Sequence, residues 1–353
     1  MTEAMTVEAA ARGATLLLAN GDVTGSADPA QVGNARRLLD GFGTLGGGGE
    51  GPDGVRLVAS DGAPRYFVTR GNHDRAHAGP EYADCPPVEG NPELYDCYRG
   101  TFAESFIAGT TRFAASFGND THRYRFVGLD SNDVATGAGQ MPDEQIDFLL
   151  AQLDAGEATI PLFHHPVGDL ATVFSAPPIV FGVPQDQSAA FRAALADRDN
   201  LAGVYNGHTH RNLRTTSTET GEVPYFEGGA VKEYPGGYTI VRLFEGGYMV
   251  NFYKASTPEA RAWSERSRGE YLGLYPYYTL GELGDRNWVY EVDARVRRGA
   301  VSGPGGGTGG DGGTTDGGAP GGASDLPDTG GGIVAVAAGA ALAAGAAGRR
   351  PGG

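Results

Sequence analysis

A chain of 353 residues with a net charge of −16 and a pI near 4.8 argues against a nucleic-acid-binding surface, which needs a basic stripe. Many of its 59 glycines fall in residues 301–325, a tract with no aromatic and almost no aliphatic side chain, which cannot bury enough surface to fold and reads as a flexible linker. Residues 1–300 remain as the folded part, ample for one α/β core with insertions.

Residues 1–13 (MTEAMTVEAAARG) read as a short helix or a frayed end, with neither the basic start nor the long apolar run of a signal peptide. The apolar run 15–19 (TLLLA) predicts a strand, and it ends in Asn20-Gly21-Asp22-Val23. Asp28-Pro29 starts a helix to about Leu39, and 43–54 is a glycine-rich insertion. Asp53 and Asp61 read there as solvated turn residues. The run 66–69 (YFVT) predicts a second strand, followed at once by Arg70-Gly71-Asn72-His73-Asp74. Taken alone, Asn72 and His73 fit an Asx-type turn with a surface histidine as well as they fit a metal ligand and a proton donor. A long loop, 75–99, carries His77 and the only two cysteines, Cys85 and Cys97.

Residues 113–117 and 122–129 predict a hairpin, with Gly118-Asn119-Asp120 in the turn and Asp130-Ser131-Asn132 beyond its second strand. An amphipathic helix over 142–153 feeds a strand, 159–163, that ends in His164-His165-Pro166. A second helix over 187–197 feeds 201–205, which ends in Asn206-Gly207-His208-Thr209-His210. Between them, the apolar stretch 167–184 is either a pocket wall or core packing. Residues 213–218, 225–227, 238–243 and 248–253 read as antiparallel strands of a second sheet, and the tyrosine-rich 257–301 has no functional reading.

Four predicted strands thus deliver Asp22, Asn72 with His73, His164 with His165, and His208 with His210 from the same kind of position. Open α/β sheets bind ligands beyond their strand ends. Oxygen ligands mixed with imidazoles suit Mn, Fe, Zn or Co, whereas an all-oxygen set suits Mg or Ca.

In this order the motifs GD (Gly21-Asp22), GNHD (Gly71 to Asp74), HHP (His164 to Pro166) and GHTH (Gly207 to His210) resemble the calcineurin-like metallophosphoesterase superfamily over about residues 15–255. The resemblance implies an α/β sandwich of two β-sheets flanked by helices. It implies two divalent metal ions, with Asp22 as the bridging carboxylate. Asn72, His164 and His208 would hold one ion, and His210 the other. His73 would protonate the leaving oxygen, with Asp74 orienting it, while His165 matches no ligand. The family also opens with an Asp-x-His motif on a first strand, and residues 1–13 contain neither residue type. The second ion then keeps only Asp22 and His210, too few for tight binding.

Leu326-Pro327-Asp328-Thr329-Gly330 matches LPxTG, followed by the alanine-rich stretch 331–348 and Arg349-Arg350. This order resembles sortase substrates of Gram-positive envelopes and implies a cut between Thr329 and Gly330 and attachment to peptidoglycan. The apolar stretch falls short of the roughly 20 residues of a spanning helix. An exported protein needs an export signal, expected upstream of Met1 together with the Asp-x-His. Cys85 and Cys97 are either free thiols or a bridge. The extracellular reading favours the bridge, which would stabilise its loop by about 3 kcal/mol.

The expected function is therefore hydrolysis of a phosphomonoester or phosphodiester by a wall-anchored, monomeric enzyme whose partners are sortase and peptidoglycan. The alternative is a wall-anchored binding protein with an impaired metal site.

Overall fold

A computed structural model describes residues 1–46, 49–50, 54–58, 63–118, 123–167, 182–269, 271–292 and 333–337. Two mixed β-sheets carry the architecture. The first runs, in spatial order, β16 (Asn287–Glu291), β15 (Gly247–Lys254), β14 (Gly237–Phe244), β17 (Ile333–Ala337), β1 (Leu16–Asn20), β5 (Arg65–Thr69) and β2 (Thr44–Leu45). The second runs β12 (Leu213–Ser217), β13 (Val223–Glu227), β11 (Val204–Asn206), β10 (Ala158–Leu162), β9 (Arg123–Gly128), β8 (Phe113–Gly118), β4 (Arg56–Val58) and β3 (Gly49–Glu50). A small ribbon, β6 (Pro87–Val88) with β7 (Asn91–Tyr95), stands apart in the 75–99 loop.

The two-residue period of a strand explains how the layers form. Leu16 and Leu18 of β1 face a core that also holds Phe67, Phe126, Ile160, Leu162, Phe226 and Val241, so this core lies between the two sheets. Leu17 and Ala19 point the other way, with Tyr66 and Val68, against the helices Thr2–Ala11 and Pro29–Asp40 through Met5, Ala9, Val32, Ala35 and Leu39. On the outer face of the second sheet, Val127, Phe163, Val204 and Tyr225 meet Ile146 and Leu149 of the helix Asp143–Leu153, and Phe191 of the helix Gln185–Ala194. Every residue of β1 is buried, which is why it reads as one apolar run without alternation.

Local signals start the helices where the sequence places them. The Asp28 side chain accepts the Gln31 N–H at 3.0 Å, and Pro29 occupies the first helical position. The N-terminal helix is docked rather than frayed: Glu8 accepts from the Ser256 backbone and hydroxyl, and Arg12 lies 4.1 Å over the Tyr253 ring.

Two expectations are corrected here. The four strands after His210 do not form one antiparallel sheet. β12 and β13 extend the second sheet, with β13 parallel to β11, whereas β14 and β15 build the middle of the first. Alternation sets which face of a strand is apolar, but both sheets share the inner core and offer that face equally. The apolar segment behind the LPxTG sequence also supplies a strand: β17 lies parallel to β1 and antiparallel to β14. Among the described residues no helix is long and apolar enough to cross a membrane. The 301–325 tract, Thr329, Gly330, Asp53, Asp61 and most of 167–184 lie outside the described residues.

Candidate metal centre

Parallel neighbours β1 and β5 end on one sheet, and parallel neighbours β10 and β11 end on the other. Their following residues meet at the seam between the sheets. Gly21 permits this approach: with φ +79° it sits where a Cβ would lie 2.6 Å from His164 Nδ1. A Cβ on Gly71 would lie 2.1 Å from the Asp22 nitrogen. Asp22, His208 and His210 themselves adopt left-handed backbone at φ 52°, 66° and 57°, a conformation that costs energy in residues with a side chain and clusters at functional sites.

Four ligand atoms converge. His164 Nε2 lies 3.2 Å from Asp22 Oδ2, 3.0 Å from Asn72 Oδ1 and 3.1 Å from His208 Nδ1. His208 Nδ1 lies 3.0 Å from Asn72 Oδ1. His164 Nδ1 is 3.0 Å from the Asn20 carbonyl, an acceptor only, so Nδ1 carries a proton and Nε2 turns to the cluster. The other Asp22 oxygen accepts the His73 backbone N–H at 2.9 Å, which fixes the carboxylate plane.

The electrostatics fit a cation. Burial opposes the charged form of His164, but the Asp22 carboxylate outweighs it and raises the imidazole above its usual range. Burial likewise opposes the charge on Asp22, and His164 holds that carboxyl well below the usual carboxylate range. Asp22 and His164 thus each favour the charged form of the other, and a divalent cation at the cluster would supply the same positive charge beside Asp22. Burial, followed by the His164 charge, pushes His208 down to about 3, leaving a neutral imidazole ready to ligate. Two imidazoles, one carboxylate and one amide oxygen form a suitable set for Zn, Mn, Fe or Co.

His210 is not in this group, which among the described residues brings Asp22, His164 and His208 within 4.8 Å of one another. Its Nδ1 lies 2.7 Å from Glu233 Oε2. Burial raises the Glu233 carboxyl, but hydrogen bonding to His210 and the charge of nearby Lys232 bring it below its ordinary value. Glu233, in an unpatterned GGAVKEYP stretch, carried no signal in the sequence. The chain's one Asp-x-His triplet, Asp120-Thr121-His122, lies outside the described residues.

The support around the ligands differs from expectation at Asp74. His73 is exposed, and its Nδ1 lies 2.9 Å from the Gly25 carbonyl, not from Asp74. Asp74 is fully buried and accepts from the N–H groups of Val23, Thr24 and Gly71 and from the Thr24 hydroxyl at 2.7 Å. It therefore clamps the Asp22 loop to the Asn72 loop, and burial with the nearby Asp22 charge raises its carboxyl to about 6. His165 is buried and hydrogen-bonded to Ser131, with its ring centroid 4.6 Å from that of His208, so it packs behind a ligand. Burial, followed by the His208 and His164 charges, pushes it well below the usual histidine range.

Arg70, fully buried, bonds Asp96 and faces Asp130 at 3.3 Å, while Asn132 donates to the Arg70 carbonyl at 2.8 Å. Asp96 adjoins Cys97, which is joined to Cys85 with an S–S distance of 2.05 Å, so the bridged loop anchors the base of the GNHD turn. Glu227 accepts from Thr209 at 2.6 Å and from Arg211 at 2.7 Å, bracing the loop between the two histidines. His77 stacks on Tyr82 at 5.1 Å and serves the loop rather than the centre. A cavity of about 360 Å³ is lined by Tyr234, next in sequence to Glu233, and by Arg268, Tyr277 and Leu280 of the tyrosine-rich region.

The fold and the centre define a class: a two-sheet α/β sandwich that gathers carboxylate, amide and imidazole ligands at its seam. The family model for calcineurin-like phosphoesterases matches residues 5–212, and the chain belongs to that family. A crystal structure of a dimetal phosphatase from Danio rerio is similar at 13% identity and a TM-score of 0.48, covering 72% of this chain and 85% of its own. No curated protein sequence matches.

Proposed function

We propose that this chain hydrolyses phosphoesters at the Asp22, Asn72, His164 and His208 centre. The observation that carries this reading is the convergence of those four ligand atoms, supported by membership of the calcineurin-like phosphoesterase family. A cation held there supplies Lewis acidity toward a phosphoryl oxygen and an acidified water. Among the chain's own groups, His73 presents an exposed ring at the rim, oriented by the Gly25 carbonyl, and protonates the departing oxygen.

A second cation would rest on Asp22 and His210, with Glu233, which His210 contacts, as an additional carboxylate. The impaired-site alternative draws on the same corner, because His210 already spends its Nδ1 on Glu233. Wall anchoring through Thr329 rests on the LPxTG sequence alone.

Metal analysis of the full chain, paired with turnover of bis(4-nitrophenyl) phosphate and 4-nitrophenyl phosphate, tests the reading. Metal-dependent turnover is expected, with His73→Ala lowering kcat by about 10²–10⁴-fold at unchanged metal content. A chain that binds a cation but turns over neither ester would favour the impaired-site alternative. A chain that holds no cation would overturn both the centre and the activity.

A further inference from the structure

His73 is exposed, and an exposed imidazole ordinarily turns among several rotamers. Here one contact fixes the ring: Nδ1 lies 2.9 Å from the Gly25 carbonyl oxygen. A carbonyl only accepts, so Nδ1 holds a proton and donates it, and Nε2 is the ring nitrogen left to face a reacting group. The backbone of His73 is tied as well, since its N–H donates to Asp22 Oδ1 at 2.9 Å. The direction of the ring therefore depends on what holds the Gly25 carbonyl.

That carbonyl belongs to a turn, Thr24 to Asp28, in which Ala27 adopts a left-handed backbone at φ 49°, a conformation that costs energy in a residue with a Cβ. The turn is strapped from two sides. On one, Asp74 accepts from the Thr24 N–H at 3.0 Å and the Thr24 hydroxyl at 2.7 Å, and the same hydroxyl accepts the Ala27 N–H at 3.0 Å. On the other stands Gln31, in the first turn of the helix Pro29–Asp40. Its Oε1 accepts the N–H groups of Gly25 and Ser26 at 2.8 and 3.1 Å, and its Nε2 donates to the Ser26 hydroxyl at 2.8 Å. A glutamine three residues after a helix cap ordinarily turns its side chain back to the N–H of the cap itself. Gln31 holds that position, since its own N–H donates to Asp28 at 3.0 Å, yet its side chain reaches past Asp28 to the two residues that carry the His73 acceptor. Helix capping alone does not explain this reach.

We propose that Gln31 is a positioning residue for His73: by fixing the Gly25 carbonyl it keeps the ring proton on Nδ1 and aims Nε2 at the departing oxygen. The proposal rests on His73 as the proton donor of the hydrolysis proposed above. In that step the P–O bond breaks, the departing oxygen keeps its electron pair and takes the Nε2 proton, and a water oxygen forms the new bond to phosphorus. The ring is left neutral, with its remaining proton on Nδ1 and still bonded to Gly25. Gln31 itself touches neither the ester nor the cation, and acts only through the turn.

The test compares the full chain, loaded with Mn²⁺, with Gln31→Met, which keeps the length of the side chain without its amide, and with Gln31→Glu. The substrates are 4-nitrophenyl phosphate and phenyl phosphate with their bis-aryl counterparts, because nitrophenolate departs readily without a proton and phenolate gains more from one. Gln31→Met should lower kcat on the phenyl esters by about tenfold more than on the nitrophenyl esters, at unchanged Mn²⁺ affinity. Gln31→Glu keeps an acceptor for both N–H groups and should restore most of that difference. In a His73→Ala background the difference should vanish. A second readout needs no turnover: ring-nitrogen NMR of the cation-free chain at alkaline pH should place the His73 proton on Nδ1, and Gln31→Met should mix the two tautomers. Equal losses on both leaving groups, or a difference that persists without His73, would make Gln31 a structural residue only and overturn the proposal. So would a ring proton on Nε2 in the parent chain, or a ring that Gln31→Met leaves unchanged. A chain that turns over none of the esters would refute the hydrolysis, and the ring spectra would still decide whether Gln31 holds His73.

Discussion

The four-atom cluster and the His210 corner sit at opposite ends of one short loop, Gly207 to His210, yet they gather different partners. Both histidines leave a left-handed backbone, and the loop between them is braced by Glu227. The difference lies in what each meets. His208 turns to Asn72 and His164, delivered by strands of both sheets, whereas His210 meets Glu233, which precedes β14 in the chain. What each histidine meets here is set by the neighbouring elements, not by the loop that carries both.

The largest effect that would break this comparison comes from the cluster. Asn72→Ala removes an oxygen shared by His164 and His208 and should weaken cation binding by about a hundredfold or more, read by competition with a chromophoric chelator. His210→Ala should leave that affinity within about threefold if the two ends are separate sites. Equal losses in both variants would show that the corner and the cluster act as one centre.

A smaller effect sharpens the corner. Glu233→Gln keeps a hydrogen-bond acceptor for His210 but removes the charge, and should lower stability by about 1 kcal/mol in urea titration while leaving cluster affinity unchanged. A fall in metal content from two ions to one would instead assign Glu233 to a second cation.

The smallest effect is in pH. In the metal-free chain His165 and His208 stay neutral when folded and take up protons when unfolded, starting from the ordinary value of 6.5. The unfolded state therefore binds more protons below that value, and stability falls as pH drops from 6.5 toward about 3, where His208 itself protonates. His164 acts with the opposite sign: its contribution is complete below 6.5 and is lost as pH rises through its higher folded value. His165→Gln should remove about half the acid slope. An unchanged slope would contradict a neutral, buried His165.

Much of the centre was legible because metal ligands are fixed by residue type at strand ends, where the change from apolar run to Gly-Asp or Gly-Asn is local. Asp22 and Asn72 carried that signature, His208 followed a glycine, and His164 followed the apolar run directly. The partners of those residues carried no such mark. Asp74 was expected to orient His73 because it is adjacent in sequence, but a buried carboxylate seeks N–H donors wherever the fold gathers them, and these came from Val23, Thr24 and Gly71. Glu233 and the placement of β17 depend on which sheet a strand joins, a long-range choice that a two-residue alternation does not encode.

Asp22 and Asn72 arrive from one sheet, and His164 and His208 from the other. An ion bound to all four would act as a rivet through the sandwich, adding to the inner core a bond that no side chain supplies. Resistance to unfolding would then track the free ion concentration, with half-saturation of the thermal gain reporting the grip of the seam itself. Loosening the Phe67, Phe126 and Phe226 packing, remote from any ligand, would be felt first as a weaker hold on the ion.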